Sequence, residues 1–313
     1  MLTYIGRRLL ATIPVMGMVA AIVFAILRLT PGDPAAIIAG DAATAGQLEE
    51  IRRHMGLDKP IYMQFALWMG QLLRGDLGVS LISSVPVVGM IADRIGPSLA
   101  LGTSTIVFTV IIAVPLGVIA AWRQGKLLDR AVMAFSVFGF SVPIFVTGYL
   151  LIFFFSIGLG WFPVQGYKPF AAGFWPFYQR LVLPTLALST IYVALIARIT
   201  RTSILEVMGE DYIRTARAKG VKESAVLMRH ALRNAAVPIA TIIGIGMAML
   251  ISGVVVTESV FNLPGLGRLV VEAVLARDYP VIQGLILLFS FIYILINLAV
   301  DILYTVFDPR IRY

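Results

Sequence analysis

Apolar positions along this chain fall into long, nearly unbroken runs, and charge, glycine and proline gather between them. A helix needs about 20 mostly apolar residues to cross the hydrocarbon core of a bilayer. Six stretches meet that requirement: Leu9–Leu29, Leu99–Trp122, Ala131–Ile157, Leu181–Ile199, Ala236–Thr257 and Val281–Phe307. The fourth is the weakest, being short and opened by Pro184. Ser136, Ser141 and Thr147 do not interrupt the third, because a helix satisfies its own backbone in lipid. Pro14, Pro115 and Pro143 sit inside spans, where proline is tolerated and kinks the helix. The first run follows Arg7-Arg8 as a signal peptide would, yet it exceeds the roughly 7–15 apolar residues of such a segment and lacks a small-x-small cleavage site, so it reads as a retained span. The pattern predicts an all-α, polytopic membrane protein of six transmembrane helices.

Composition agrees. Of 313 residues, 59% are hydrophobic and 13% charged, with a mean hydropathy of +0.92. Globular domains carry about 25% charge, so this chain cannot cover a water-facing surface. A disordered chain, a collagen and a disulfide-stapled domain are excluded, the last by the absence of cysteine. A net charge of +8 does not point to nucleic acid in so apolar a chain. It reports orientation, because lysine and arginine mark cytoplasmic connections. Outside the long first connection, fifteen basic residues fall on one side and four (Lys168, Arg180, Arg268, Arg277) on the other. The rich side holds both termini, which are therefore expected in the cytoplasm. Eight of its basic residues belong to one connection: Arg198, Arg201, Arg214, Arg217, Lys219, Lys222, Arg229 and Arg233.

Two connections are too patterned to be linkers. The first, Thr30 to Ser98, is expected outside. Thr44 and Gln47 form a capping box for a short helix through Glu49 to Met55, and Gly56 can end it. Ile61, Phe65, Trp68, Met69 and Leu72 recur at helical spacing after Pro60, and a third short helix is predicted over Val85 to Arg94. These make a folded cap that either braces the helices or serves a partner or gate. The division expected is residues 1–98, the first span plus cap, and 99–313, the five-span core with a cytoplasmic loop over 199–235.

That loop is the second patterned connection. Glu210 and Asp211 open a predicted helix and Arg217 and Lys219 close it, as the helix dipole favours. Gly220 supplies a turn, and Glu223 to Leu232 is a second helical pattern. Such a hairpin could lie on anionic lipid or dock a cytoplasmic partner; the residues alone leave both open.

Here the sequence becomes similar to a known group. Asp211-Tyr-Ile-Arg-Thr-Ala-Arg-Ala-Lys-Gly220, followed by Arg229-His-Ala-Leu-Arg-Asn-Ala-Ala-Val-Pro238, resembles the coupling loop of ABC-importer permeases of the dipeptide/oligopeptide/nickel/glutathione group, first-subunit type. Leu29-Thr-Pro-Gly-Asp-Pro34, Glu258-Ser-Val-Phe-Asn-Leu-Pro-Gly-Leu-Gly267, Arg277-Asp-Tyr-Pro-Val-Ile-Gln283 and the tail from Asp301 to Tyr313 match the same group, so the resemblance covers almost the whole chain. It implies a subunit of a bacterial inner-membrane importer. Its partners would be a second, homologous permease in a heterodimer, two ATP-binding subunits holding ATP and Mg, and an extracytoplasmic substrate-binding protein. It also implies that Glu210, Asp211, Tyr212, Arg214, Thr215, Ala216, Arg217 and Gly220 face the ATPase. Where the general importer pattern has Glu-Ala-Ala, this chain has Arg214-Thr215-Ala216, so that glutamate's contact is not carried over.

The remaining chemistry is sparse. His54 and His230 lie on opposite sides of the membrane, no His/Cys metal cluster is present, and no phosphate-binding G-x-x-x-x-G-K-[ST] occurs. No catalytic residue is expected, and any ATP is hydrolysed by another polypeptide. An ion-coupled secondary transporter is the alternative class, but it usually places several acids or histidines within the membrane; here Asp301, with Asn297 one turn away, is the clear case. Gly244, Ala248 and Ser252 recur every four residues, a stripe suited to close helix packing or to lining a pathway. Glu258, Phe261, Pro264 and Gly265 follow on the outer side, where Glu258 either fixes the turn or meets substrate, and Phe261 to Gly267 is a candidate gate.

Overall fold

The computed structural model describes residues 2–29, 35, 44–54 and 56–307. The family blocks at 30–34 and 308–313, and Met55, lie outside the described residues. In chain order the helices are α1 (Leu2–Leu29), α2 (Ala45–His54), α3 (Ile61–Leu73), α4 (Val87–Trp122), α5 (Leu127–Ser141), α6 (Ile144–Leu151, continued by the wider π-turns of Ile152–Gly158) and α7 (Phe174–Tyr178). They continue with α8 (Val182–Met208), α9 (Asp211–Ala218), α10 (Glu223–Ala225, a π-helical stretch Val226–Ala231, then Leu232–Asn234), α11 (Ala236–Val260), α12 (Leu266–Leu275) and α13 (Tyr279–Phe307). The all-α expectation holds. By length and composition α4, α8, α11 and α13 can each cross a membrane, and α5 with α6 make a fifth, bent span; in α1 the apolar stretch is Leu10–Ile26.

Contacts divide the chain into two compact units, Met1–Gly96 with Arg268–Ile294 and Pro97–Gly267 with Leu295–Tyr313. This is a division by contact, distinct from the expected division by topology. In the first unit the capping box forms as the sequence predicts: the Thr44 amide donates to Gln47 Oε1 at 2.9 Å and the Gln47 amide to Thr44 Oγ1 at 3.4 Å. Phe24 of α1 meets Phe65 and Trp68 of α3, with ring centroids 5.3 and 5.6 Å away. The Asp278 carboxylate accepts from Ser80 Oγ and from the Leu81 amide. Glu272 accepts from Arg94 at 2.7 Å and from Arg268 at 2.8 Å.

The second unit is built round α8. In it Leu183, Leu188, Tyr192, Ala194, Ile196, Ala197 and Ile204 are buried, and glycines on three other helices let backbones approach. A β-carbon on Gly117 would lie 2.6 Å from the Ala197 carbonyl, one on Gly139 3.0 Å from Ala194, and one on Gly253 2.6 Å from Leu188. Small residues at such crossings are how helices associate when lipid offers no hydrophobic drive.

Three sequence expectations are corrected. The short helix predicted over Val85 to Arg94 is the beginning of α4, which runs unbroken through Gly96-Pro97; that pair reads as a boundary, but proline's fixed φ is helical and only one backbone bond is lost. The third span is not one helix. Its halves meet at 104°, because the residue before a proline is pushed out of the helical region: Val142 is extended (φ −94°, ψ 121°) and Pro143 starts α6. The fourth span is longer than expected, continuing to Met208. Its low hydropathy has a cause. The apolar window of α8 has a mean hydropathy of 1.8 with 61% of it buried, against 2.4 for the other three, which are 17–39% buried. A helix wrapped in protein does not have to be as oily as one wrapped in lipid.

Candidate coupling face and transmembrane core

The candidate coupling loop folds as a hairpin continuous with the spans. After α8 ends at Met208 with Gly209 as its cap, Glu210 takes an extended conformation and caps α9, accepting from the Ile213 amide at 3.1 Å through its carbonyl. On α9, Ile213 and Ala216 are buried and pack with Val226 of α10, with Val207, Met208 and Val221 around them. Ala216 therefore faces inward, as does Ile213. Asp211, Tyr212, Arg214, Thr215 and Arg217 stand exposed on the other sides. Gly220 turns the chain at φ +76° with open space around it. The second arm extends to Asn234, two residues beyond the predicted Leu232. Its Leu227, Ala231 and the following Ala235 join a buried cluster with Val118 and Ala121 of α4, Ile204 of α8 and Ile239 of α11. An apolar seam thus connects the hairpin to three spans.

Charge fixes the turn. Arg217 donates from Nε and Nη2 to the two oxygens of Glu223, at 3.1 and 2.6 Å, across Gly220. This bidentate geometry is the strong form of an ion pair. The hydrogen bonds from Arg217 hold the Glu223 carboxyl below its ordinary value, and Glu223 in turn raises Arg217. Arg214 pairs with Asp211 one turn earlier at 3.1 Å. Burial, helped by the charge of Glu210, pushes the Tyr212 phenol up, and a hydrogen bond with Asn234 opposes this.

A second anchor was not foreseen. Arg201, on the part of α8 beyond the expected span, forks onto both oxygens of Asp129 at the start of α5, with the Nη2 bond at 2.8 Å; the Gly125 amide donates to the same carboxylate at 2.8 Å. Asp129 is buried. A signal existed: it is the sole acidic residue between Asp93 and Glu206, and an isolated acid near a membrane boundary needs a partner.

The candidate pathway residues do not gather in one place. Gly244 packs against α13: a β-carbon there would lie 2.2 Å from Val300. Ala248 is half-buried and Ser252 exposed. A cavity of about 10 Å³ opens beside this helix, lined by Thr109, Tyr192, Gly246, Met247 and apolar neighbours, room for about one water. At the outer end, Ser98 ties the turn: its hydroxyl donates to Glu258 Oε1 and accepts from the Leu266 amide at 2.7 Å. Glu258 is fully buried beneath Pro264-Gly265, and its own carbonyl accepts from the Leu263 amide at 2.9 Å. Phe261 is buried too, 3.3 Å from where a Gly148 β-carbon would sit, and its carbonyl accepts from the Gly166 amide at 3.1 Å. Among the described residues no group of three or more His, Cys, Asp or Glu could hold a metal ion.

Comparison with known proteins places this arrangement. The family described as binding-protein-dependent transport system inner membrane component matches residues 113–313, and its N-terminal companion matches residues 1–102. The probable peptide ABC transporter permease protein y4tP of Sinorhizobium fredii is 53% identical, covering 99% of each chain. The glutathione transport system permease protein GsiC of Escherichia coli K12 is 46% identical over the full length of both. An inward-facing crystal structure of the MetNI methionine ABC transporter shares the fold, with a TM-score of 0.59 and 19% identity, over 71% of this chain and 97% of that one.

Proposed function

Because the chain belongs to the binding-protein-dependent transport system inner membrane components, as a multi-pass permease subunit of an ABC importer whose ATP hydrolysis occurs on partner subunits, we propose that its cargo is a short peptide or a similar small ligand. Relatives named for peptide and for glutathione, itself a tripeptide, support that class. We further propose that the chain pairs with a second, homologous permease and receives cargo from an extracytoplasmic binding protein. ATP and Mg sit on the two ATPases, and both termini lie in the cytoplasm, the side the basic hairpin marks.

The observation that carries the mechanism is the two-sidedness of α9. Its buried face, Ile213 and Ala216, belongs to an apolar cluster of the hairpin, and its exposed face carries Asp211, Tyr212, Arg214, Thr215 and Arg217. In the proposed mechanism the exposed face sits in a groove of one ATPase. When the ATPase pair closes on ATP, the hairpin moves as a rigid body, and the seam through Ile204, Leu227 and Ile239 passes that motion to α4, α8 and α11. Tilting them switches access between the two sides, one bistable element biased from two sites. Gly220→Val tests this in the reconstituted complex. Uptake per ATP is expected to fall; substrate-stimulated hydrolysis with unchanged uptake would sink the coupling role. Cargo is tested separately, by a thermal-shift screen of peptides and glutathione on the cognate binding protein, where a preference for ligands without a peptide bond would overturn the assignment.

A further inference from the structure

The connection from Leu159 to Leu181 contains Trp161 and Trp175, many phenylalanines and tyrosines, two cations (Lys168 and Arg180) and no acid. It has two faces. On the inner one, Tyr167 and Phe177 meet edge to face at 6.0 Å and pack on the buried cluster of Leu181, Leu263 and Phe261. Backbone and side-chain bonds hold this face in place: the Gly166 amide donates to the Phe261 carbonyl, and Arg180 Nη1 donates to the Gln165 carbonyl at 2.6 Å. On the outer face Trp161, Phe170, Phe174 and Trp175 are 63, 64, 64 and 59% exposed. Three of the four have ring partners: Phe170 meets Phe174 edge to face at 6.4 Å, Phe174 stacks on Tyr178 at 5.4 Å, and Trp161 lies against Phe155 at 5.7 Å.

A fixed apolar patch of this kind marks an interaction surface. What lies against it follows from continuity. The π-turns ending the third span expose Phe153, Phe154 and Ile157, and the chain runs from them through exposed Leu159 into Trp161. The patch therefore prolongs the side of a membrane span. Tryptophan and tyrosine gather where hydrocarbon meets headgroups, since their rings are apolar and their edges polar, and the lack of acid suits contact with lipid phosphates. We propose that Trp161, Phe170, Phe174 and Trp175 lie in the headgroup layer of the bilayer as an interfacial anchor at the end of the bent third span, with exposed Lys168 reaching lipid phosphate.

The test uses the assembled transporter in vesicles of phosphatidylcholine and phosphatidylglycerol. The chain has no cysteine, so a nitroxide is placed at Trp175→Cys and, in a second variant, at Phe170→Cys, with the signal of the unsubstituted complex subtracted. Collision of the label with oxygen and with a water-soluble nickel chelate is then measured. Collision with oxygen and with the chelate at comparable, intermediate rates, as for a label between phosphate and the first methylenes, is the expected result; a large excess of oxygen collision would place the patch in the acyl core and overturn the proposal. High chelate collision would place the patch in water, and low collision with both would place it against another protein; either overturns the proposal. Retained uptake confirms assembly of each variant, and the second position reports if the first does not assemble.

Discussion

Glu258 fills the space that a side chain at Gly265 would need: a β-carbon there would lie 2.0 Å from its Oε1. The buried carboxylate also accepts from Ser98, so one acid joins the start of the second unit to the turn after α11. Glu258 thereby fastens the turn.

Gly265→Ala should therefore lower the stability of the purified complex by about 1–3 kcal/mol, the usual cost of overpacking, read as a lower thermal midpoint. The control is the same change beside Glu258→Ala. If the alanine at 265 costs as much without the carboxylate as with it, the clash is not its source.

Asp129 is buried and its partner Arg201 is one-fifth exposed, so removing the arginine strands a buried charge. Breaking a buried pair costs about 3–5 kcal/mol, which is the upper end here. Arg201→Ala or Asp129→Ala should each cost up to that amount, while a paired replacement of similar shape, Asp129→Leu with Arg201→Met, should cost clearly less. Equal losses in single and paired variants would show that the charges are not what holds α5 to α8.

The Arg217–Glu223 pair gives a pH dependence with a definite sign. The folded carboxyl titrates below its ordinary 4.5. Its contribution is therefore complete above 4.5 and disappears as pH falls through the lower folded value. Both side chains are about two-fifths exposed (41 and 43%), which keeps the effect within about 1 kcal/mol. The protection factors of the α9 amides, with the intrinsic pH dependence of exchange divided out, should fall on acidification in the parent and not in Glu223→Gln; identical profiles would remove the pair as the cause.

At Gly220 the obstacle is conformation rather than space. With φ at +76° and nothing near a β-carbon, Gly220→Asn should preserve most coupling, because asparagine tolerates left-handed backbone, whereas Gly220→Val should cost at least about 1–2 kcal/mol in the hairpin. Uptake per ATP that does not separate the two variants would place the strain elsewhere.

Much of this was legible because the patterns are local. Apolar runs marked the membrane segments, the Thr44–Gln47 capping box is visible in four residues, and the hairpin's Gly220 and charged ends foretold its turn. What escaped depends on residues distant in sequence. No period in the sequence shows that α8 is surrounded by protein, so its modest hydropathy looked like weakness instead of burial. Pro143 reads as a kink, yet the extended Val142 before it makes a break. The partner of Asp129 lies 72 residues away, and the stripe of Gly244, Ala248 and Ser252 does not say that Val300 of α13 is what packs on Gly244. Pairings of that kind are set by tertiary contact alone.

The unbroken length of α8 has a mechanical consequence. Its 27 residues make a rod of about 40 Å at 1.5 Å per residue. Beyond the first turn it contains no proline, so it has no built-in joint where a push at one end could be absorbed. Rotating such a rod by about 5° around one end displaces the other by about 3.5 Å, more than half a helical turn. Leverage of that sort needs no relay of small rearrangements: a stiff beam delivers the stroke undiminished, and its accuracy depends only on how firmly the two ends are held.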